Sequence, residues 1–495
     1  MKNEIHHGMR ALSSLMLTAV LSACTTPQML DTAGGKSVAV PAGWSAAAVV
    51  TATSTTASTT DLVQWWQRFN DPMLNQLIAQ ALQVNNSVQS AQAALRQARA
   101  LRDVSAASLS PSVNASASAQ RSKSGSSAAA NSFAAGFDAS WEPDIFGANH
   151  AGVRASDANA RASAASLANV QVSVAAEVAL SYIQWRGTQA RLDIARANVA
   201  SQGETLQITH WRVQAGLLTS LEGEQARTAS EQAQAQLPTL ETSATQILHA
   251  LEVLCGQAPE SLRQQLAVQA AVPQAQDNLA LSLPAETLRQ RPDVRAAEQQ
   301  VKAALAKWQQ ADAARYPSFH LSGSLGLRAL TLGALGDGGT LASSLLGSVA
   351  MPLLDGGALR AQAAAQQAAL EQAQAAYRST VLTALKDVED ALVALRNDKL
   401  RLQSLKNALE AATNAALIAR QRYASGLIDF QVVLETQRSL YSAQDSVAST
   451  STDLSTDHVR LYKALGGGWQ PDQDSQFSAI EFTRGAQDQL SVKPL

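Results

Sequence analysis

Aromatic residues make up only 4% of the 495-residue chain, and charged residues only 16%. So few rings argue against a bulky globular core along the whole chain. A formal net charge of −2 supplies no basic excess for nucleic acid. The two cysteines, Cys24 and Cys255, are too few for a disulfide framework. Histidines are scattered: His249 and His320 have no Cys or His at ligand spacing, so no metal site is expected. The glycines at 333–339 and 466–468 lack the Lys-Ser/Thr of a phosphate loop. No nucleophile stands beside a base, and acidic groups such as Asp387 and Glu389–Asp390 read as a solvated helix face. The sequence therefore points away from an enzyme. What is abundant is small and apolar: 46% of residues are hydrophobic, much of that alanine. Such a chain suits long, closely packed helices.

The N-terminus speaks to location. Lys2 and Arg10 precede an apolar run at 11–23, too short to span a bilayer as a mature helix. The run ends Leu21-Ser22-Ala23-Cys24, which resembles a bacterial lipobox. The resemblance implies a signal peptide over 1–23, cleavage before Cys24, and a covalent lipid (palmitate) on Cys24 as the only attached group. Thr25, in place of an aspartate, favours the outer membrane. Residues 24–60 are rich in Thr, Ser and Ala and read as a lipidated tether. Cys255 then has no partner and reads as a small buried side chain at a helix end.

A weak internal repeat follows at an offset of roughly 206–210 residues. Pro111-Ser112-Val113 returns as Pro317-Ser318-Phe319, and Gly216-Leu217 as Gly426-Leu427. We assign the first repeat to 61–270, the second to 271–468 and a C-terminal tail to 469–495. Each repeat reads helix, two strands, long helix, turn, long helix.

The strands are marked by strict alternation. Val113, Ala115, Ala117 and Ala119 alternate with small or polar neighbours, as do Phe133, Phe137 and Trp141, and Phe319, Leu321, Leu325 and Leu327. A fourth segment at 345–351 is weaker. Stretches at 122–131 and 329–342 are rich in Gly, Ser or Ala and read as loops. One apolar and one small polar face over about 10 residues is the pattern of membrane-barrel strands. Four strands cannot close such a barrel, whose smallest members have about eight. An open edge in lipid leaves backbone groups unpaired, so several chains must share one wall.

The helical stretches are long. Residues 358–425 contain neither glycine nor proline, and 428–465 likewise. Val381, Leu385, Val388, Leu392, Leu395, Leu402, Leu405 and Leu409 trace a 3.5-residue seam, the mark of a left-handed coiled coil. Residues 148–215 and 217–248 form the matching pair.

Several ordered motifs resemble the TolC superfamily, in its lipoprotein branch of NodT/OprM-type outer-membrane components of RND multidrug efflux systems. They are Trp65-Trp66-x-x-Phe69-x-Asp71-Pro72, Trp141-Glu142-x-Asp144-Ile145-Phe146-Gly147, Arg291-Pro292-Asp293-Val294-Arg295, and Arg422-Tyr423-x-x-Gly426 leading to Leu434-Glu435. The resemblance implies a mainly α fold with a membrane β-barrel. Long antiparallel coiled-coil helices would form a periplasmic α-barrel, and four β-strands per protomer would contribute to a twelve-stranded trimeric barrel. It implies a homotrimer in outer-membrane lipid, lipid-anchored and extending into the periplasm. It also implies a periplasmic membrane-fusion adaptor and an inner-membrane RND-type pump as partners. Function would be passive conduction of drugs or toxic solutes. A duct for type I polypeptide secretion and a lipid-anchored structural coiled coil stay open as alternatives.

By the same resemblance, Arg422 and Tyr423 would clasp the neighbouring helix pair as a periplasmic gate. Gln431 and Glu435, four residues apart, share a helix face and would stack as rings around a trimer axis. Family members more often carry an apolar residue at position 431, so glutamine here weakens a reading as a dry hydrophobic plug. Gly147 and Gly357 are expected to bend the chain from strand into helix. Gly216 and Gly426 are expected at the hairpin tips. Arg291-Pro292-Asp293 reads as a helix start, architectural rather than a site.

Overall fold

The computed structural model describes residues 41, 43–44, 60–126, 128–275, 284–337 and 340–469. The leader, Cys24, most of the tether and the tail from residue 470 lie outside the described residues.

Helix α1 (Pro72–Val84) starts where Asp71 accepts hydrogen bonds from the N–H groups of Met73 and Leu74, at 2.8 and 3.0 Å. Proline at its first position needs no such partner. Asn85 ends α1 and caps α2 (Asn86–Ala107), accepting from the Ser87 N–H at 2.9 Å. Strands β1 (Ser112–Ser122) and β2 (Ala130–Trp141) follow, then α3 (Ala148–Gln214) and α4 (Ser220–Leu254). The second copy comprises α5 (Pro292–Ala313), β3 (Ser318–Ala329), β4 (Leu341–Ala350), α6 (Ala358–Ala424) and α7 (Phe430–Ala464).

Helix lengths match across the copies: α2 and α5 have 22 residues each, α3 and α6 have 67, and α4 and α7 have 35. A helix of that greatest length reaches on the order of 100 Å. The shorter helices line the long ones at different heights. Near its start α3 meets α2, with the Ser105 and Ser156 hydroxyls 2.7 Å apart. Near its other end it meets α4, where Leu192, Ala195 and Leu240 bury together. Helix α5 lies between α3 and α6, and α7 packs on α6 and across onto α3.

The coiled-coil seam of α6 faces inward. Val381, Val388, Leu392, Leu395 and Leu402 are buried, and Leu385, Leu405 and Leu409 half-buried. In the first repeat the returning helix differs from expectation at both ends. It begins at Ser220 after a capped turn and runs to Leu254, because Leu248 and Leu251 join the main core. It also passes through Pro238 unbroken.

That core sits at the waist of the helices. Trp65, Phe69, Tyr182, Trp185 and Tyr462 are its aromatic members, packed with Leu74, Leu77 and Ile78, and Trp65 stacks on Tyr462 at 5.3 Å. Cys255 is buried here at the end of α4, as its position suggested. Burial, with Glu252 second, pushes its thiol up to about 11. Arg186 enters the same core, donating to the Tyr182 hydroxyl at 3.1 Å and to the Val268 carbonyl at 2.7 Å. Tyr182 in turn donates to Asp71 at 2.9 Å, tying the cap of α1 to α3.

The four strands make one antiparallel sheet in the order β1-β2-β3-β4. The β2–β3 ladder joins the two repeats, and Gly136 faces Gly326 at its centre. A Cβ on Gly136 would lie 2.7 Å from the Gly326 Cα, so both positions require glycine. The fourth strand runs 341–350, starting earlier than its sequence pattern suggested because β3 templates it from Leu327 to Ser318.

Candidate functional site: the sheet faces, the junction and the helix tips

Register decides what each face of the sheet carries. Val113, Phe133, Phe137, Trp141, Phe319, Leu321, Leu325, Leu327, Leu341, Leu345 and Val349 fall on one face. The other carries mainly serine, with Asn114, Asp138 and His320. Hydroxyl pairs cross it: Ser112 with Ser140 and Ser324 with Ser344, each at 2.8 Å, and Ser116 donates to Asp138 at 2.7 Å. Within this chain both faces are open to solvent. β1 and β4 do not pair with each other, so the sheet is open at both edges. An apolar outer face, a hydroxylated inner face and two free edges are what a shared membrane barrel requires.

At the strand–helix junction an aromatic cluster forms that sequence patterning alone did not single out. Phe146 stacks on Tyr316 at 5.1 Å and lies 6.3 Å from Phe319, and Trp141 donates to the Leu109 carbonyl at 3.0 Å. Aromatic girdles of this kind mark a bilayer–water boundary. Gly147 and Gly357 cap α3 and α6 here with φ of 79° and 87°. Side chains that precede them cover the exposed helix N–H groups. Asp144 accepts from His150 N–H at 2.6 Å, and Asp355 from Leu359 and Gly357 at 2.9 Å each. Those N–H donors hold the Asp355 carboxyl below its usual value.

At the far end the two hairpins turn identically. Gly216 and Gly426 both have φ of 73°, and the N–H groups of Leu217 and Leu427 return to Arg212 and Arg422 carbonyls at 2.8 and 2.9 Å. This is the glycine-closed helix end. Thr219 and Glu222 then form a capping box that starts α4. Tyr423 packs on Phe430 at 5.5 Å, and the Arg212 guanidinium lies 5.0 Å over its ring. Arg212 holds the place in the first hairpin that Arg422 holds in the second, so the two hairpins of one chain are tied by that contact. Arg422, Gln431 and Glu435 are exposed and form no side-chain hydrogen bond or ion pair among the described residues. Leu217 and Leu427, 74% and 73% exposed, stand at matching places on the two tips.

The Arg291-Pro292-Asp293 motif starts α5 as the sequence suggested, yet it does more. Arg291 is buried, donating to both Asp293 oxygens at 3.1 and 2.7 Å, to Asp387 on α6 at 3.3 Å and to the Ala464 carbonyl at the end of α7 at 2.8 Å. Asp387 therefore belongs to this clamp rather than to a merely solvated face. Gly466 passes over Arg291, and the Gly468 N–H reaches the Leu62 carbonyl at 2.9 Å. The three-glycine run is a close-packed crossing of the segment after α7 with Arg291 and Leu62.

Lower down, α6 and α7 share carboxylates. Asp457 is 1% exposed and pairs with Arg460 at 2.8 Å. Burial pushes its carboxyl up to about 6 against the pull of Arg460, and Asp398 adds to the rise. A carboxyl raised in the folded state stabilises below its unfolded value and loses that contribution as pH rises through the folded one. Stability is thus expected to fall from about pH 4 to about pH 6, by on the order of 3 kcal/mol. Thermal unfolding of the Asp457→Asn variant should lose this slope, and an unchanged slope would refute the assignment.

Among the described residues no group of three or more His, Cys, Asp or Glu side chains could hold a metal ion.

Comparison with known proteins supplies the context. The outer membrane efflux protein family profile matches residues 77–257 and 283–467. The pyoverdine export outer membrane protein OpmQ of Pseudomonas aeruginosa is 33% identical, covering 94% of this chain and 98% of its own. The toluene efflux pump outer membrane protein TtgF of Pseudomonas putida is 30% identical over 92% of this chain and 96% of its own. The solved outer-membrane channel OprN superposes with a TM-score of 0.80 at 35% identity, over 83% of this chain and 93% of that one. An open two-faced sheet carried on 67-residue helices, matched along nearly its whole length by such proteins, is an outer-membrane exit duct for efflux, and the chain belongs to the outer membrane efflux protein family.

Proposed function

We propose that three copies of this chain close a twelve-stranded barrel in the outer membrane and continue it as a helical tube through the periplasm. Small toxic solutes or drugs pass through it passively. The carrying observation is the open four-stranded sheet with one apolar and one hydroxylated face. Two copies give eight strands, whose lumen side chains fill; three give twelve and leave a pore. An inner-membrane RND-type pump supplies the energy through a periplasmic adaptor. The protruding Leu217 and Leu427 support an apolar docking partner at the tips, because exposed leucines gain by being covered. A lipid on Cys24 anchors the chain.

Cargo of small-molecule size agrees with relatives named for pyoverdine and toluene. The lipobox also argues against a polypeptide duct. The gate lies at the hairpin tips. Arg422 and Tyr423 hold the resting tip against its neighbour, and Gln431 and Glu435 ring the constriction. Three carboxylates there favour cations.

Planar-bilayer recording of the purified protein tests both parts. Ohmic, cation-preferring pores are expected, with Arg422→Ala and Glu435→Ala each raising single-channel conductance several-fold. No pores at all would reject the duct. Pores with unchanged conductance in both variants would reject only the gate.

A further inference from the structure

On the apolar face of the sheet, Arg121 is the one charged side chain among the four strands. It lies at the end of β1 remote from the helices, in register with Asn131. Its own rung follows Ala119–Phe133, Ala117–Ala135 and Ala115–Phe137 along the same face. Neither Arg121 nor Lys123 just beyond it forms a side-chain hydrogen bond or ion pair among the described residues, and both are exposed.

Height on the sheet fixes what Arg121 meets. Trp141 marks the helix-side boundary, and Asn131 lies ten residues up the same strand. At about 3.3 Å per residue that is roughly 33 Å of strand. Tilted by about 45°, it rises roughly 23 Å, close to the ~25 Å apolar band of outer-membrane barrels. Arg121 therefore emerges at the outward edge of the hydrocarbon, on the side that faces lipid. A guanidinium at that depth extends its charge to the headgroup layer and keeps its methylenes in the apolar region. Its planar fork matches phosphate oxygens in a bidentate pair.

We propose that Arg121, supported by Lys123, binds the phosphate of an outer-leaflet lipid headgroup against the apolar wall. This rests on the apolar face meeting lipid. That underlying reading fails if the protein forms no pores, whereas this inference fails if pores form but lipid retention ignores phosphate and Arg121.

Native mass spectrometry of the full-length protein with diphosphoryl lipid A tests it, with the same lipid stripped of both phosphates as comparison. Wild type is expected to retain the phosphorylated lipid, Arg121→Ala to bind it about tenfold more weakly, and Arg121→Lys to fall between. Equal retention of the dephosphorylated lipid, or unchanged binding by Arg121→Ala, would overturn the proposal. So would competition by inorganic phosphate at equal concentration, which would make this a free-anion site. A lower melting temperature of Arg121→Ala in lipid-free detergent would also overturn it, because the arginine would then serve a contact between chains.

Discussion

Arg291→Ala is expected to cost about 3 kcal/mol and to remove most assembled protein from the outer membrane, because it breaks a buried charge pair by deleting one partner. The guanidinium reaches three chain segments at once: Asp293 at the start of α5, Asp387 on α6 and the carbonyl of Ala464 at the end of α7. Its removal leaves two carboxylates facing each other and an orphaned carbonyl. The surrounding acids also raise the guanidinium's proton affinity against the opposing effect of burial. Arg291→Lys should recover only part of the loss, since one ammonium cannot reproduce the fork. Thermal unfolding and membrane fractionation measure this. A melting temperature within a degree or two of wild type for Arg291→Ala would show that the clamp carries no net stability.

Gly187→Ala should be nearly as harmful, for a steric reason. At the crossing of α3 and α7, a Cβ on Gly187 would lie 2.3 Å from the Thr452 Oγ1, 2.6 Å from its Cγ2 and 2.9 Å from its Cβ. One added methyl forces two long helices apart, at about 2–3 kcal/mol. Thr452→Ala removes the two closest atoms and should restore roughly half in the double variant. The two changes must therefore be strongly non-additive. Additive effects in a double-mutant cycle would show that the crossing relaxes freely and that the close approach is incidental.

Much of this was readable in the sequence, for identifiable reasons. Period-two alternation placed β1 and β3 within a residue or two, since each shows one face to an apolar environment, while β2 starts three residues earlier than its pattern, inside the stretch read as a loop. The α6 seam appeared because leucine and valine recur every 3.5 residues. The glycines at 147, 216, 357 and 426 were legible because a non-glycine residue strains at positive φ. The fourth strand was less so, as Leu345-Leu346 breaks alternation and β3 supplies its register. Contacts between distant segments were not legible. Nothing local links Arg212 to Tyr423, or Arg291 to Ala464, across roughly 170 to 210 residues. The ends of α4 were not legible either: a capping box delays its start to Ser220, and Leu248 and Leu251 carry it on to Leu254 by packing into a core built from distant segments.

The two copies do not keep one spacing. Pro292 follows Asn86 by 206 residues, yet Ala358 follows Ala148 by 210. The step arises on the cell's exterior, where seven residues join β1 to β2 and eleven join β3 to β4. Every helix beyond that point keeps its partner's length unchanged. Growth has therefore been tolerated only where the molecule meets the surroundings. An epitope spliced between β3 and β4 should display on intact bacteria without harming export, whereas the same insertion within α3 or α6 would shift half a tube out of step with its twin.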